Sequence, residues 1–222
     1  MARLAGIDIG DTFVRVAIVL PAYRRMVLEA VIEERIGEGG PVAAVRRALG
    51  NQRPDSLAVA LAGDRCYTRR LTLPRAAQRE LENVVIMELE SSIPFEMEGA
   101  VFDRRSLEST DTNNTLFFAA VAQINDLRER IELVKEAVGR EPDSIDTGSI
   151  VLANLLPVVP ELAPPAQPGE QPEPVGVLDL REQRSELVIL QGGEPNFVRT
   201  VSRGKVGLPQ TADELGRELK LS

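Results

Sequence analysis

The chain has no histidine and no tryptophan, and only one cysteine, two tyrosines and six phenylalanines in 222 residues. Without histidine, Ser-His and Cys-His nucleophilic pairs and histidine-ligated metals are excluded. The single cysteine, Cys66, cannot close an intramolecular disulfide, which fits a reducing cytoplasm. Aromatics make up 4% of the chain and hydrophobic residues 43%, so a core must be built from Leu, Val, Ile and Ala. No apolar run reaches the roughly 18 residues a membrane helix needs. Asp8 interrupts the N-terminal stretch before a signal-peptide core forms. Membrane contact is therefore expected only through partners. The net charge of −8 argues against nucleic acid or an anionic membrane as main partner, since either needs a basic patch that releases counterions. The length allows one large domain or two small ones.

What the chain does have is a distinctive opening, residues 6–20. Two apolar, β-branched runs flank Gly10-Asp11-Thr12, which is a hairpin signal. Asp8 is out of place in a strand, and a carboxylate placed inside needs partners or a cation. Gly10 lets a ligand approach the backbone, Asp11 and Thr12 offer N–H and hydroxyl groups to a phosphate, and Arg15 adds positive charge. From the residues alone, a hairpin whose aspartate only shapes its turn stands beside this phosphate-loop reading.

Further along, Met26–Arg35 alternates as a third strand, and Pro41–Leu49 reads as a short helix with Val42, Val45 and Leu49 on one face. The apolar run 57–61 reads as a buried central strand. Residues 65–73 alternate, with Cys66, Thr68 and Arg70 on one side and Tyr67, Arg69, Leu71 and Leu73 on the other. Pro74 opens a helix whose Leu81, Val85, Leu89 and Ile93 share a face, and Pro94 ends it. Strands follow at about 100–107 and 115–123. A helix then presents Leu127, Ile131, Val134 and Val138, capped near Asn125 or Asp126 and stopped by Gly139. An extended piece at 143–146 and a helix at 149–156 come next. Residues 157–174 hold seven of the 15 prolines, at positions 157, 160, 164, 165, 168, 172 and 174, and read as a mobile linker. Val175–Leu180 resumes a strand, a hairpin turns at 191–195, and Thr211-Ala212-Asp213-Glu214 is a capping box before a last helix. Glu80, Glu82, Glu88 and Glu90 read as a solvated helix face, and the scattered arginine doublets as surface.

Four stretches taken together carry a resemblance. They are Asp8-Ile9-Gly10 with Thr12 and Arg15, then Arg70–Pro74, then Glu88–Phe95 with Val101-Phe102-Asp103, and last Val175–Leu180 with its following hairpin. In this order and spacing the chain resembles the bacterial PilM family, whose relatives are FtsA and the GspL cytoplasmic domain. The resemblance implies an α/β, actin-like ATPase fold of the ribonuclease H-like type. It also implies that residues 65–140 form a β-α-β-β-α subdomain inserted into a first subdomain made of 1–64 and 141–156, with 175–222 starting a second.

In that superfamily two strand-turn-strand loops clamp nucleotide phosphates, and an acidic residue in each helps hold magnesium. By resemblance the first loop supplies Asp8, Gly10, Asp11, Thr12 and Arg15, and the second Asp179 and Ser185, with Asp8 and Asp179 as magnesium carboxylates for ATP. Arg181 stands where relatives carry glycine, and their adenosine motif falls after residue 222. The chain is therefore expected to be cut short and to bind ATP weakly or not at all. The resemblance further implies a cytoplasmic scaffold, peripheral to the inner membrane, for a type IV pilus or type II secretion system. It would bind the cytoplasmic tail of an inner-membrane assembly protein in a groove between the first subdomain and the inserted one, through Tyr67, Arg69 and Leu71. A pilus or secretion ATPase is a second candidate partner. The alternatives are an active actin-fold ATPase or phosphotransferase, and an FtsA-like division protein.

Overall fold

A computed structural model describes residues 2–23, 25–109, 111–155, 158–159 and 173–220, without the side chains of 77–79. The chain opens with β1 (Leu4–Ile9), β2 (Phe13–Ala22) and β3 (Arg25–Arg35), then α1 (Gly40–Leu49) and β4 (Ser56–Leu61). Next come β5 (Cys66–Pro74), a 3-10 stretch Arg75–Glu80, α2 (Leu81–Glu90), β6 (Ala100–Leu107) and β7 (Asn114–Gln123). The rest is α3 (Ile124–Val138), β8 (Ser144–Thr147), α4 (Gly148–Ala153), β9 (Val175–Leu180), β10 (Ser185–Gln191), β11 (Glu194–Val201) and α5 (Ala212–Lys220). The linker expectation for 157–174 lies almost wholly outside the described residues.

The chain divides into two compact units. The first is Met1–Ala62 with Asn125–Gly148, and the second is Gly63–Ile124 with Ser149–Ser222.

The first unit is a five-stranded sheet of order β3-β2-β1-β4-β8. β1, β2 and β3 are antiparallel neighbours, and β4 and β8 join in parallel. Alternation in β1 and β2 sends Ala5, Ile7, Ile9, Val14, Val16 and Ile18 to one buried face. There they meet Val45 and Leu49 of α1 and Val134 of α3. Each such side chain, removed from water, contributes on the order of 1.5–3 kcal/mol. Asp143 fixes the register of β8. Its carboxylate accepts the Leu57 amide at 2.7 Å, and its own amide donates to the Leu57 carbonyl at 2.8 Å. The Leu57 amide and then Arg140 hold the Asp143 carboxyl below the usual carboxylate range.

The second unit contains two three-stranded antiparallel sheets, β5-β7-β6 and β11-β10-β9. On the first, Leu71, Leu73, Phe117, Ala119 and Val121 form a core with Val85 and Leu89 of α2. Tyr67 joins its margin, edge-on to Phe95 with ring centroids 5.4 Å apart. On the second, Val188 and Leu190 of β10 pack with Ala153 of α4.

Two expectations change here. The helix at 124–138 was expected to complete the inserted β-α-β-β-α unit. Instead Leu133, Val134, Ala137 and Val138 pack on the first unit's core, so the piece between β5 and β7 is β-α-β-β. The helix after Pro74 is split, since its first six residues are 3-10 and only 81–90 is α-helical.

Candidate functional site

The first loop joins β1 to β2. Pairing of Ile9 with Val14 leaves Asp11 and Thr12 at the tip, and the Gly10 amide closes the turn on the Phe13 carbonyl at 3.0 Å. A Cβ on Gly10 would lie 3.2 Å from that carbonyl oxygen, so the glycine serves a close backbone approach. The Thr12 carbonyl accepts the Ile36 amide at 2.8 Å, which ties the loop to the end of β3. Asp8 is half-buried and sits opposite Arg15 in the β1–β2 register. The Arg15 guanidinium lies 3.8 Å from the Asp8 carboxylate and donates to Glu33 at 2.8 Å. The cation expected to meet phosphate is thus shared between two carboxylates of the sheet.

The second loop joins β9 to β10. The Arg181 amide closes it on the Arg184 carbonyl at 3.1 Å, and the Ser185 hydroxyl donates to the Arg203 carbonyl at 2.7 Å. Arg181 stands where the resemblance leads one to expect glycine, and its Nε donates to Asp179 at 2.6 Å. Arg181 is well buried, with 17% of its side chain exposed, so the pair is a charge-assisted bond largely out of water. The carboxylate assigned to magnesium faces a cation of its own chain. The loop as folded does not fit that role, and Ser185 is turned to the backbone. The two loops belong to different units.

The residues expected to meet a partner lie on β5, which among the described residues pairs on one side only, with β7. Around Tyr67, Thr68 and Arg69 the structure has a cavity of about 300 Å³, also lined by Gly63 and, from β11, by Val198, Arg199 and Thr200. The cavity is completed by a strand of the same unit. Arg69 is exposed, and its guanidinium donates to the Thr68 carbonyl and, at 3.1 Å, to the Ser92 carbonyl beyond α2. Leu71 needs correction as a contact residue. It is 7% exposed and packs in the core under α2, so it offers nothing to a partner. Alternation placed it on the Tyr67 side correctly, but that side is the sheet's own buried face.

Three residues went unnoticed in the sequence. Arg130 of α3 is 9% exposed and donates to the Ile9 carbonyl at 3.4 Å, just before the first loop. Gly204 is buried, and a Cβ there would lie 2.4 Å from both the Arg181 and Glu182 carbonyl oxygens. Glu186 is 3% exposed, on the same face of β10 as Val188 and Leu190. Leu187-Val188-Ile189-Leu190 is an unbroken apolar run, so the sequence assigns Glu186 no side of the strand. Nothing in the sequence marked the other two either.

The family described as type IV pilus assembly protein PilM matches residues 6–215. No curated protein matches the chain. Among solved structures, the chain is similar to one from the PilM–PilN type IV pilus biogenesis complex, at 22% identity and a TM-score of 0.75. That match covers 98% of this chain and 68% of the other. It is also similar to the cytoplasmic domain of EpsL, an inner membrane component of the type II secretion system of Vibrio cholerae. Here identity is 16% and the TM-score 0.57, over 90% of this chain and 71% of that domain. A Bacteroides thetaiotaomicron protein described as having an actin-like ATPase fold and unknown function matches at 10% identity and a TM-score of 0.53, over 99% and 75%. The fold is actin-like.

Proposed function

The chain belongs to the family of the type IV pilus assembly protein PilM, and from that premise we propose that it is a scaffold which binds the cytoplasmic tail of an inner-membrane partner. One observation carries the reading. Among the described residues β5 pairs on one side only, and it borders a cavity large enough to take side chains. Such a strand accepts an extended peptide through backbone hydrogen bonds, while pockets beside it read alternate side chains. The similar PilM structure was solved in a complex with PilN, and the similar EpsL domain belongs to an inner membrane component, which supports a partner of this kind. Among the described residues no helix is long and apolar enough to cross a membrane; in this reading the partner supplies the membrane attachment.

An ATPase or phosphotransferase reading is disfavoured by the Asp179–Arg181 bond, which occupies the carboxylate that such chemistry needs. Nucleotide turnover is no part of the proposed role. Calorimetry with synthetic tails of the inner-membrane proteins encoded beside this gene tests the proposal. At least one tail is expected to bind, and Tyr67→Ala combined with Arg69→Glu is expected to abolish it. Binding that survives both substitutions would move the site away from β5.

A further inference from the structure

We propose that β3 pairs antiparallel with β3 of a second copy of the chain, with Leu28 of each copy opposite Val31 of the other. The observations behind it are independent of the tail site. β3 is the outer strand of the first unit's sheet, and among the described residues it pairs only with β2. The free backbone groups of such an edge template pairing with another chain, so exposed edge strands tend to be short or to carry charge in place of apolar side chains. β3 runs from Arg25 to Arg35, and its Met26, Leu28 and Val31 are each more than half exposed. These three share one side of the sheet. Met26 pairs with Pro21, Leu28 with Val19 and Val31 with Ala17, on the side away from Val14, Val16 and Ile18, which meet α1 and α3. Large apolar side chains grouped along an unpaired strand mark an interaction surface.

The strand is complementary to itself when reversed. The β2–β3 register shifts between Ile18 and Val19, which leaves Glu29 as an extra residue of β3. The uncovered side therefore holds even-numbered residues before this bulge, Met26 and Leu28, and odd-numbered ones after it, Val31 and Glu33. In an antiparallel pair about a two-fold axis, the first half of one copy meets the second half of the other, and opposite residues share a side. Setting Leu28 opposite Val31 keeps the sides matched along the strand. Val27 then meets Ile32, Arg25 meets Glu34, and the apolar stem of Met26 lies beside Glu33. Apolar pairs and opposite charges are the cross-strand contacts that stabilise a sheet. The glutamates are already compensated within each copy, Glu29 by Arg3, Glu33 by Arg15 and Glu34 by Arg47. Glu34 accepts from Arg47 Nε at 3.3 Å, and a carboxylate has further acceptor sites for Arg25 of the second copy. An anionic bilayer is a poorer occupant, because three glutamates stand along the strand and the chain's net charge is −8. The contact amounts to one strand and its side chains, on the order of 1,000 Å² in all, the low end of specific interfaces.

Sedimentation velocity of the full chain tests the pairing, under reducing conditions so that Cys66 cannot link copies. A monomer–dimer equilibrium with a dissociation constant between about 1 and 100 μM is expected, as suits a small interface. Leu28→Glu alone and Val31→Lys alone each set a charge against an apolar side chain, and each is expected to weaken the dimer at least about tenfold. Both positions are exposed in a single copy, so the dilute variants are expected to keep the thermal midpoint of the unmodified chain. Combined in one chain, the two substitutions place opposite charges face to face across the two-fold axis and are expected to restore the dimer. A chain that stays monomeric up to about 100 μM, or a dimer indifferent to both single substitutions, overturns the pairing. A dimer weakened by each substitution and not restored by the two together overturns this register. A monomeric chain that instead co-sediments with vesicles of phosphatidylglycerol and phosphatidylethanolamine gives the patch to a membrane surface and overturns the proposal as well.

Discussion

In the β1–β2 loop the glycine sits inside the turn, at Gly10, and the aspartate before it shares an arginine with a glutamate across the sheet. In the β9–β10 loop the turn carries Arg181, bonded to its own aspartate, and the close-approach glycine, Gly204, comes from the segment after β11. Both hairpins thus need one glycine and one carboxylate–arginine contact, and they obtain them from different places. In the first loop the turn stays low in bulk, as a phosphate cradle requires. In the second the backbone of residues 181–182 is pressed onto Gly204, and the Lys205 and Val206 amides bond to the Arg181 and Glu182 carbonyls at 2.7 and 3.0 Å. That packing ties the segment after β11 to the second turn.

Gly204→Ala breaks the second arrangement most severely. A Cβ at 2.4 Å from two backbone oxygens cannot be accommodated by a side-chain rotation, so the loop itself has to move. A loss of about 3 kcal/mol is expected, the upper end of overpacking effects, which in a chain of this size lowers Tm by roughly 6–12 °C. Thermal denaturation measures it, and an unchanged midpoint would mean that the 181–182 backbone is not held there. Asp179→Ala comes next. It leaves the well-buried Arg181 without its carboxylate, and about 1–2 kcal/mol is expected, between exposed and fully buried pairs. Asp179→Ala combined with Arg181→Ala should recover part of the loss, because both charges are then gone.

Gly10→Ala meets its carbonyl at 3.2 Å rather than 2.4 Å, so a few tenths of an ångström of relaxation suffice. About 1 kcal/mol is expected, well below Gly204→Ala, and a reversed order would refute the comparison. The smallest expected effect is that of millimolar ATP with Mg²⁺ on the unmodified chain, namely no shift of Tm. A rise of several degrees would show that ligand binding overcomes the Asp179–Arg181 bond.

Much of this was legible in the sequence because it depends on period and punctuation. The strands at 4–9, 13–22 and 56–61 follow from β-branched runs between turn residues, while the actin-like fold is what the resemblance carried by four short motifs implies. What escaped depends on which surface an element meets. The spacing of Leu133, Val134, Ala137 and Val138 marks an apolar helix face but not the sheet that covers it. Alternation gives Leu71 a side of β5 but does not say that α2 covers that side. Gly204 is ordinary in its local sequence, and its need appears only when residues 181–182 are folded against it. Glu186 precedes an unbroken apolar run, 187–190, that gives it no side, and its contact with Gly63 joins residues 123 positions apart.

The scaffold proposal is tested most directly by calorimetry of the full chain against the cytoplasmic tails encoded beside its gene, repeated with Thr68→Trp. Thr68 lines the cavity without belonging to the core under α2, so the larger side chain fills the space and spares the fold. Saturable binding of one tail to the unmodified chain, weakened at least about tenfold in a Thr68→Trp variant of unchanged Tm, is the predicted result. A tail that binds both proteins equally, or no tail binding the unmodified chain at all, would contradict it.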